Sequence, residues 1–175
     1  MLIAAALIAV FAGLLVLAAA NDIATMTIPN WISIAIAVAF PIAAYYAGLP
    51  LSTIGWNMGF ATVILVVGIG LFSVGVLGGG DVKVIAAAAA WFGPFSFWPF
   101  FVWMAIAGGV LAVVLLLARA YFQPNERLPS FLNRLLDRKK GAPYAVAIAA
   151  AGLCVLHLNP IAQAVLAGGL SLTVL

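Results

Sequence analysis

The sequence predicts an all-α protein, a polytopic transmembrane helix bundle of about six spans with a short apolar segment at its C-terminal end. Three observations carry that expectation. Of the 175 residues, 67% are hydrophobic and only 6% are charged, against about 25% charged in a typical soluble domain. Mean hydropathy is +1.30. The apolar residues also come in continuous runs close to the ~20 residues that a helix needs to cross a bilayer. Spanning barrels use strands that alternate apolar and polar positions, so helices are the better solution here.

The runs place spans near 2–20, 31–49, 55–77, 82–98, 100–118 and 143–158, with an apolar tail over 161–175. The first has no basic stretch ahead of it and reads as a retained span rather than a cleaved signal. TIPNW (27–31) opens the second, with Pro29 tolerated in the first turn of a helix. AGLP (47–50) and the aromatic FGPFSFWPF (92–100) read as turns, the latter at headgroup depth. LNP (158–160) divides the last apolar region. Neither a fixed-period repeat nor a soluble second domain is visible, so residues 1–175 are expected to form one membrane-embedded domain.

Charge sets the expected orientation. Residues 119–141, RAYFQPNERLPSFLNRLLDRKKG, hold six of the seven basic side chains. Basic loops stay on the cytoplasmic side, and counting spans backwards puts the N-terminus outside and segments 21–30 and 78–82 inside. Lys83 then falls on the cytoplasmic side, a placement not used in the assignment. Within the loop, Phe131, Leu132, Leu135 and Leu136 have amphipathic spacing. A helix lying on anionic lipid is one reading. The plainer one, a solvated loop with an orienting charge cluster, is preferred.

Outside that loop only Asp22, Asp81 and Lys83 are charged. Ionisable groups at a membrane span are costly and are functional candidates by default. Topology puts both aspartates at one face, Asp22 ending the first span and Asp81 beginning the fourth, so they meet if those helices are neighbours. Two carboxyls a few ångströms apart share a proton and titrate as a unit. The ionised one can activate water while the protonated one polarises a carbonyl. Asp81 stands at a helix N-terminus, which favours its anion, and Asp22 follows a C-terminus; Asp81 is therefore the expected ionised partner. Gly78, Gly79 and Gly80 allow a sharp bend and close approach by an extended peptide. Lys83, two residues from Asp81, does not share its helix face and is read as an interfacial anchor, with a contact to substrate or another loop as the alternative. The competing structural reading makes Asp22 and Asp81 simple helix caps; their joint placement beside three glycines argues against it.

At these residues the sequence resembles the type IV prepilin peptidase family, membrane aspartic peptidases with a GxGD motif. GGGDVK (78–83) matches its GxGDxK pattern, DIATMTIPN (22–30) its first-aspartate segment, and GAPYAVAIAAAG (141–152) the segment opening a later span. The order fits, over nearly the whole chain. The resemblance implies an endopeptidase that cuts the short basic leader from pilin-like precursors at the cytoplasmic face of the bacterial inner membrane. Asp22 and Asp81 become the catalytic pair, Gly78 and Gly80 shape the motif, and Pro29, Asn30, Pro143 and Tyr144 support it. Ala145 stands where the family commonly has glycine. Long members carry a cysteine-paired cytoplasmic insertion linked to N-methylation; this chain has neither the insertion nor a CxxC and is similar to the short branch serving Flp-type (tight-adherence) pili. Proteolysis without methylation, and no cofactor, is what that implies.

The remaining candidates read as structural. One cysteine, Cys154, excludes an intramolecular disulfide and is read as a buried apolar side chain. His157 falls on the side away from the aspartates. Trp56, Trp91, Trp98 and Trp103 are assigned to belts and packing, and Gly108–Gly109 and Gly168–Gly169 to close helix contacts. No metal constellation, nucleophilic triad or phosphate loop is visible, and membrane lipid rather than nucleic acid is the expected surroundings. The rival from another class is a small transporter or channel subunit with Asp22, Asp81 and Lys83 in a proton or cation path. Such a path needs polar groups at several depths, whereas these three cluster at one face.

Overall fold

The computed structural model describes residues 1–125, 128–138 and 140–172, with side chains described up to residue 167. Glu126, Arg127 and Lys139 of the basic loop, residues 173–175 of the tail, and the surroundings of Gly168 and Gly169 lie outside the described residues. The described chain is helical throughout: α1 (Leu2–Thr25), α2 (Asn30–Tyr46), α3 (Leu51–Ser73), α4 (Gly79–Tyr121), α5 (Ser130–Leu136), α6 (Ala145–Cys154), a short 3-10 turn (Leu156–Leu158) and α7 (Pro160–Leu172). Three of these, α1, α3 and α4, are long and apolar enough to cross a membrane; α2 and α6 are apolar but shorter.

Prolines set several of the boundaries. Pro29, Pro50 and Pro129 each precede a helix as its cap residue, with φ between −53° and −59°. Their fixed φ suits that position, and the missing N–H costs nothing where no intrahelical acceptor exists. α1 ends on Met26, held left-handed at φ 56° with its N–H bonded to the Asp22 carbonyl at 2.8 Å.

The largest departure from expectation lies in α4. Two spans separated by an aromatic turn over 92–100 were expected, but residues 94–100 are helical and the break is confined to Gly93, at φ 63°, ψ 175°. That region is essentially closed to residues with a Cβ. A straight helix of this length would extend roughly 65 Å, about twice the hydrocarbon thickness. Instead it folds back. Tyr144 packs against Gly108 of the second leg and lies close enough to Asp81 of the first to feel its charge. Asn57 of α3 fills the space beside the break: its Nδ2 donates to the Ala90 carbonyl at 3.1 Å, and its amide occupies the volume that a Gly93 Cβ would need.

The core is aromatic and joins α1, α2 and both legs of α4. Phe11 stacks on Trp91 with centroids 4.4 Å apart, and Phe92 on Phe100 at 4.9 Å. The Trp91 indole N–H donates to the Ile36 carbonyl at 2.8 Å. Phe92 and Phe100 are therefore core residues, whereas Phe95 and Trp98 of the same stretch point outward. Cys154 is exposed, contrary to the buried position expected for it. The outer faces are apolar too: Val63, Val66 and Ile69 of α3 and Val113 and Leu116 of α4 are all more than half exposed, as a lipid-facing surface requires.

The basic loop is not merely solvated. Residues 130–136 form α5, and Arg119 at the end of α4 donates to the carbonyls of Leu135 (2.7 Å) and Gly141 (2.8 Å). Arg138 returns to the Arg119 carbonyl at 2.9 Å. The loop is thus strapped across the end of the bundle.

Replacing Gly93 by alanine should cost about 2–3 kcal/mol, from the forbidden backbone region and the clash with Asn57. Gly59→Ala, in open space on α3, should be neutral or mildly stabilising. Thermal unfolding of the two variants in detergent separates them.

Candidate active site

Asp22 lies in the last turn of α1 and is 7% exposed. Its Oδ2 accepts the backbone N–H of Ala145 at 3.1 Å. Ala145 is the first residue of α6, so the buried Pro143 and half-buried Tyr144 deliver a helix N-terminus to this carboxylate. The expected asymmetry, with Asp81 alone at a helix start, does not survive: the sequence reading assigned Asp22 only to the end of its own helix and overlooked α6. The departure at Ala145 leaves the donor intact, because the bond uses the backbone.

Asp81 is the third residue of α4, and its carboxyl folds back against Gly78, the residue that precedes the helix. This is the place of the acid in a capping box, the third position facing the cap residue. The capping reading is therefore correct as local geometry, but it does not exhaust the side chain. Asp22 and Asp81 line one cavity of about 290 Å³, together with Gly78, Gly79, Gly80, Asn30 and Lys83, and their charges act on one another.

The two aspartates do not meet because α1 and α4 are packed side by side. α1 packs chiefly on α2 and α6, and both of those pack on α4. The acids converge because the end of α1 and the starts of α2, α4 and α6 come together. Each glycine of the triplet has a neighbour. A Cβ at Gly78 would stand 2.6 Å from Asp81 Oδ2, one at Gly79 would press on the Phe72 ring, and one at Gly80 would stand 3.2 Å from Ile28 Cβ. Lys83 is not a free interfacial anchor; its Nζ donates to Asn30 Oδ1 at 2.8 Å, tying α4 to the start of α2. Pro29 places Asn30 there by starting the helix.

Sequence reasoning missed the Ala145 N–H, since a backbone donor leaves no residue-type signal, and it missed Ile28, whose only cue was its place in the IPN segment. His157, in the 3-10 turn before α7, is exposed and does not line this cavity. Among the described residues no group of three or more His, Cys, Asp or Glu side chains comes together. The chemistry on offer is that of two carboxyls, Asp22 held by a backbone N–H and Asp81 in the first turn of its own helix, facing a small polar space in an otherwise apolar bundle. One can accept a proton from water while the other donates one.

Fold and site together define a helical membrane protein with paired acids at one end of its bundle. The model of the type IV leader peptidase family matches residues 9–114, a span that includes both aspartates and the glycine triplet, and the chain belongs to that family. It is accordingly a peptidase of a membrane-bound family. A search of curated proteins finds no match, and neither does a search of solved structures. The transporter reading is not favoured.

The bond to Ala145 separates two substitutions at Asp22. Asp22→Asn keeps an oxygen acceptor and removes a charge beside Asp81, so its melting temperature in detergent should equal or exceed that of the parent. Asp22→Ala leaves a buried N–H without a partner and should lose about 1–3 kcal/mol.

Proposed function

We propose that this chain is an aspartic endopeptidase that removes the short basic leader from Flp-type prepilins, at the cytoplasmic face of the bacterial inner membrane and without methylating the product. The observation that carries the reading is the shared cavity of Asp22 and Asp81 beside the glycine triplet. Membership of the leader peptidase family supports a pilin-like precursor as substrate.

In this mechanism the pair begins with one proton between two carboxyls. The ionised carboxylate removes a proton from water as the water oxygen adds to the scissile carbonyl carbon; the protonated partner gives its proton to the carbonyl oxygen. The tetrahedral gem-diol then collapses: the amide nitrogen takes the proton held by the pair, and the C–N bond breaks. One diol hydroxyl gives its proton back to the pair as the new carbonyl forms, so that the carboxyls again share one proton. The Ala145 N–H fixes Asp22, and the first turn of α4 places Asp81, whose carboxyl lies against Gly78. Preorganisation of this kind lets both acids act without first reorienting. An extended peptide lies along the cavity that Gly78–Gly80 line, and the Lys83–Asn30 bond holds another part of its wall. The strapped loop over 119–142 carries the orienting positive charge, next to anionic lipid. The whole chain, 1–175, acts as one membrane-embedded unit in this reading. Two legs of α4 add to α1, α2, α3 and α6 to make six crossings.

Leader removal from a detergent-solubilised prepilin tests the proposal. Asp22→Asn and Asp81→Asn should each lower the rate by about 10³-fold or more, and undiminished cleavage by either would reject the paired acids. The parent should show a bell-shaped pH profile whose two limbs belong to the pair. Gly78→Ala should displace only the flexible end of Asp81. Turnover should then fall by about tenfold, on the order of a lost positioned hydrogen bond, with little change in melting temperature.

A further inference from the structure

We propose that a slot between α2 and α3 seats the first turns of the substrate's apolar helix, immediately beyond the bond that is cut. The inference rests on the peptidase reading above and adds to it the place where the uncut part of the substrate is held.

The slot has a simple origin. α2 and α3 both pack on the first leg of α4 but touch each other little, leaving a groove of about 390 Å³ whose floor is α4. Its floor is of small residues, Ala86, Ala87 and Ala90 on α4, and Ala37 and Ala61 stand on the walls beside the larger Met58 and Leu65. Small side chains let another helix approach closely in lipid. Along α4 the groove runs from Lys83 to Ala90, roughly 10 Å at 1.5 Å per residue, or two turns of helix.

Two observations select the occupant. The groove adjoins the aspartate cavity: Asn30 and Lys83, hydrogen-bonded to each other, line both. A chain whose scissile bond lies between the aspartates therefore enters the groove on its next residues. Inside the groove mouth stands Ser33, 6% exposed, whose hydroxyl has no hydrogen-bond partner among the described residues. The first N–H groups of any helix lack intrahelical acceptors, and the hydrocarbon offers no water to satisfy them. Ser33 Oγ is itself buried; a rotation about χ1 brings it to the groove, where it becomes an acceptor one turn inside, at the place such a helix begins. A lipid acyl chain would fill the apolar walls but brings no donor for Ser33.

The test compares two substrates in lipid nanodiscs: a full-length precursor, and a short peptide that contains the leader junction but lacks the apolar helix. Ala61→Phe and Ala37→Phe narrow the groove from opposite walls. Each should raise KM for the precursor by about tenfold or more, while short-peptide cleavage changes by less than about twofold. Ser33→Ala should raise the precursor KM by about threefold, on the scale of one neutral hydrogen bond, and Ser33→Thr should restore it. A photo-crosslinking side chain at position 62, on the groove rim, should capture the precursor. An unchanged precursor KM, parallel losses on both substrates, or capture of lipid alone would overturn the groove. A parent protein that cuts neither substrate would reject the peptidase reading itself, and this inference with it.

Discussion

The hydrogen bond from the Ala145 N–H to Asp22 organises the polar end of this molecule. A carboxylate in an apolar bundle needs donors, because desolvation without them is costly. Here the donor comes from a residue 123 positions further along the chain. Bringing the start of α6 to the end of α1 requires the intervening chain to return to the same end, and the break in α4 does this. Asp81 meets the same demand locally, in the first turn of its own helix. Three helix N-termini, those of α2, α4 and α6, border or donate to the site. Their partial positive charges face two acidic side chains, a distribution that helix dipoles favour.

The sequence displayed much of this and concealed the rest for physical reasons. Asp22 and Asp81 stood out because so few charges survive outside the basic loop, and the TIPNW helix start falls where the prolines indicate. The pairing route was not legible. Adjacency of α1 and α4 was the condition for it; the two touch through Phe11 on Trp91 and Phe92, and most of their packing runs through α2 and α6. Pro143 and Tyr144 could be noticed as a motif, but not as the segment that carries a backbone donor to Asp22. The wrong assignments share one cause. Between helices in lipid there is no hydrophobic drive that sorts apolar side chains inward, so hydrophobicity does not reveal which face is inside. Cys154 was expected to be buried and is exposed, while Phe92 and Phe100, expected in an aromatic turn, are helical and buried in the core.

Packing in such a protein depends on shape and on hydrogen bonds more than on burial. The contacts that locate helices are specific ones: the Trp91 indole on the Ile36 carbonyl, the Asn57 amide on Ala90, the Tyr144 ring over Gly108. Where such contacts are few, as between α2 and α3, the bundle leaves an open seam. The single buried hydroxyl in that seam is the feature that distinguishes it from an ordinary lipid-facing furrow.

A helix reversed by one residue has no slack. Gly93 joins two legs without an intervening loop, so each leg measures the other. Adding a residue to the second leg would turn everything beyond it by about 100° and advance it by 1.5 Å. Gly108 would then swing from beneath the Tyr144 ring, and the approach of α6 to α1 would go with it. Length variation in related chains should therefore be absorbed in the strap over 119–141 and excluded from the 27-residue interval between Asp81 and Gly108.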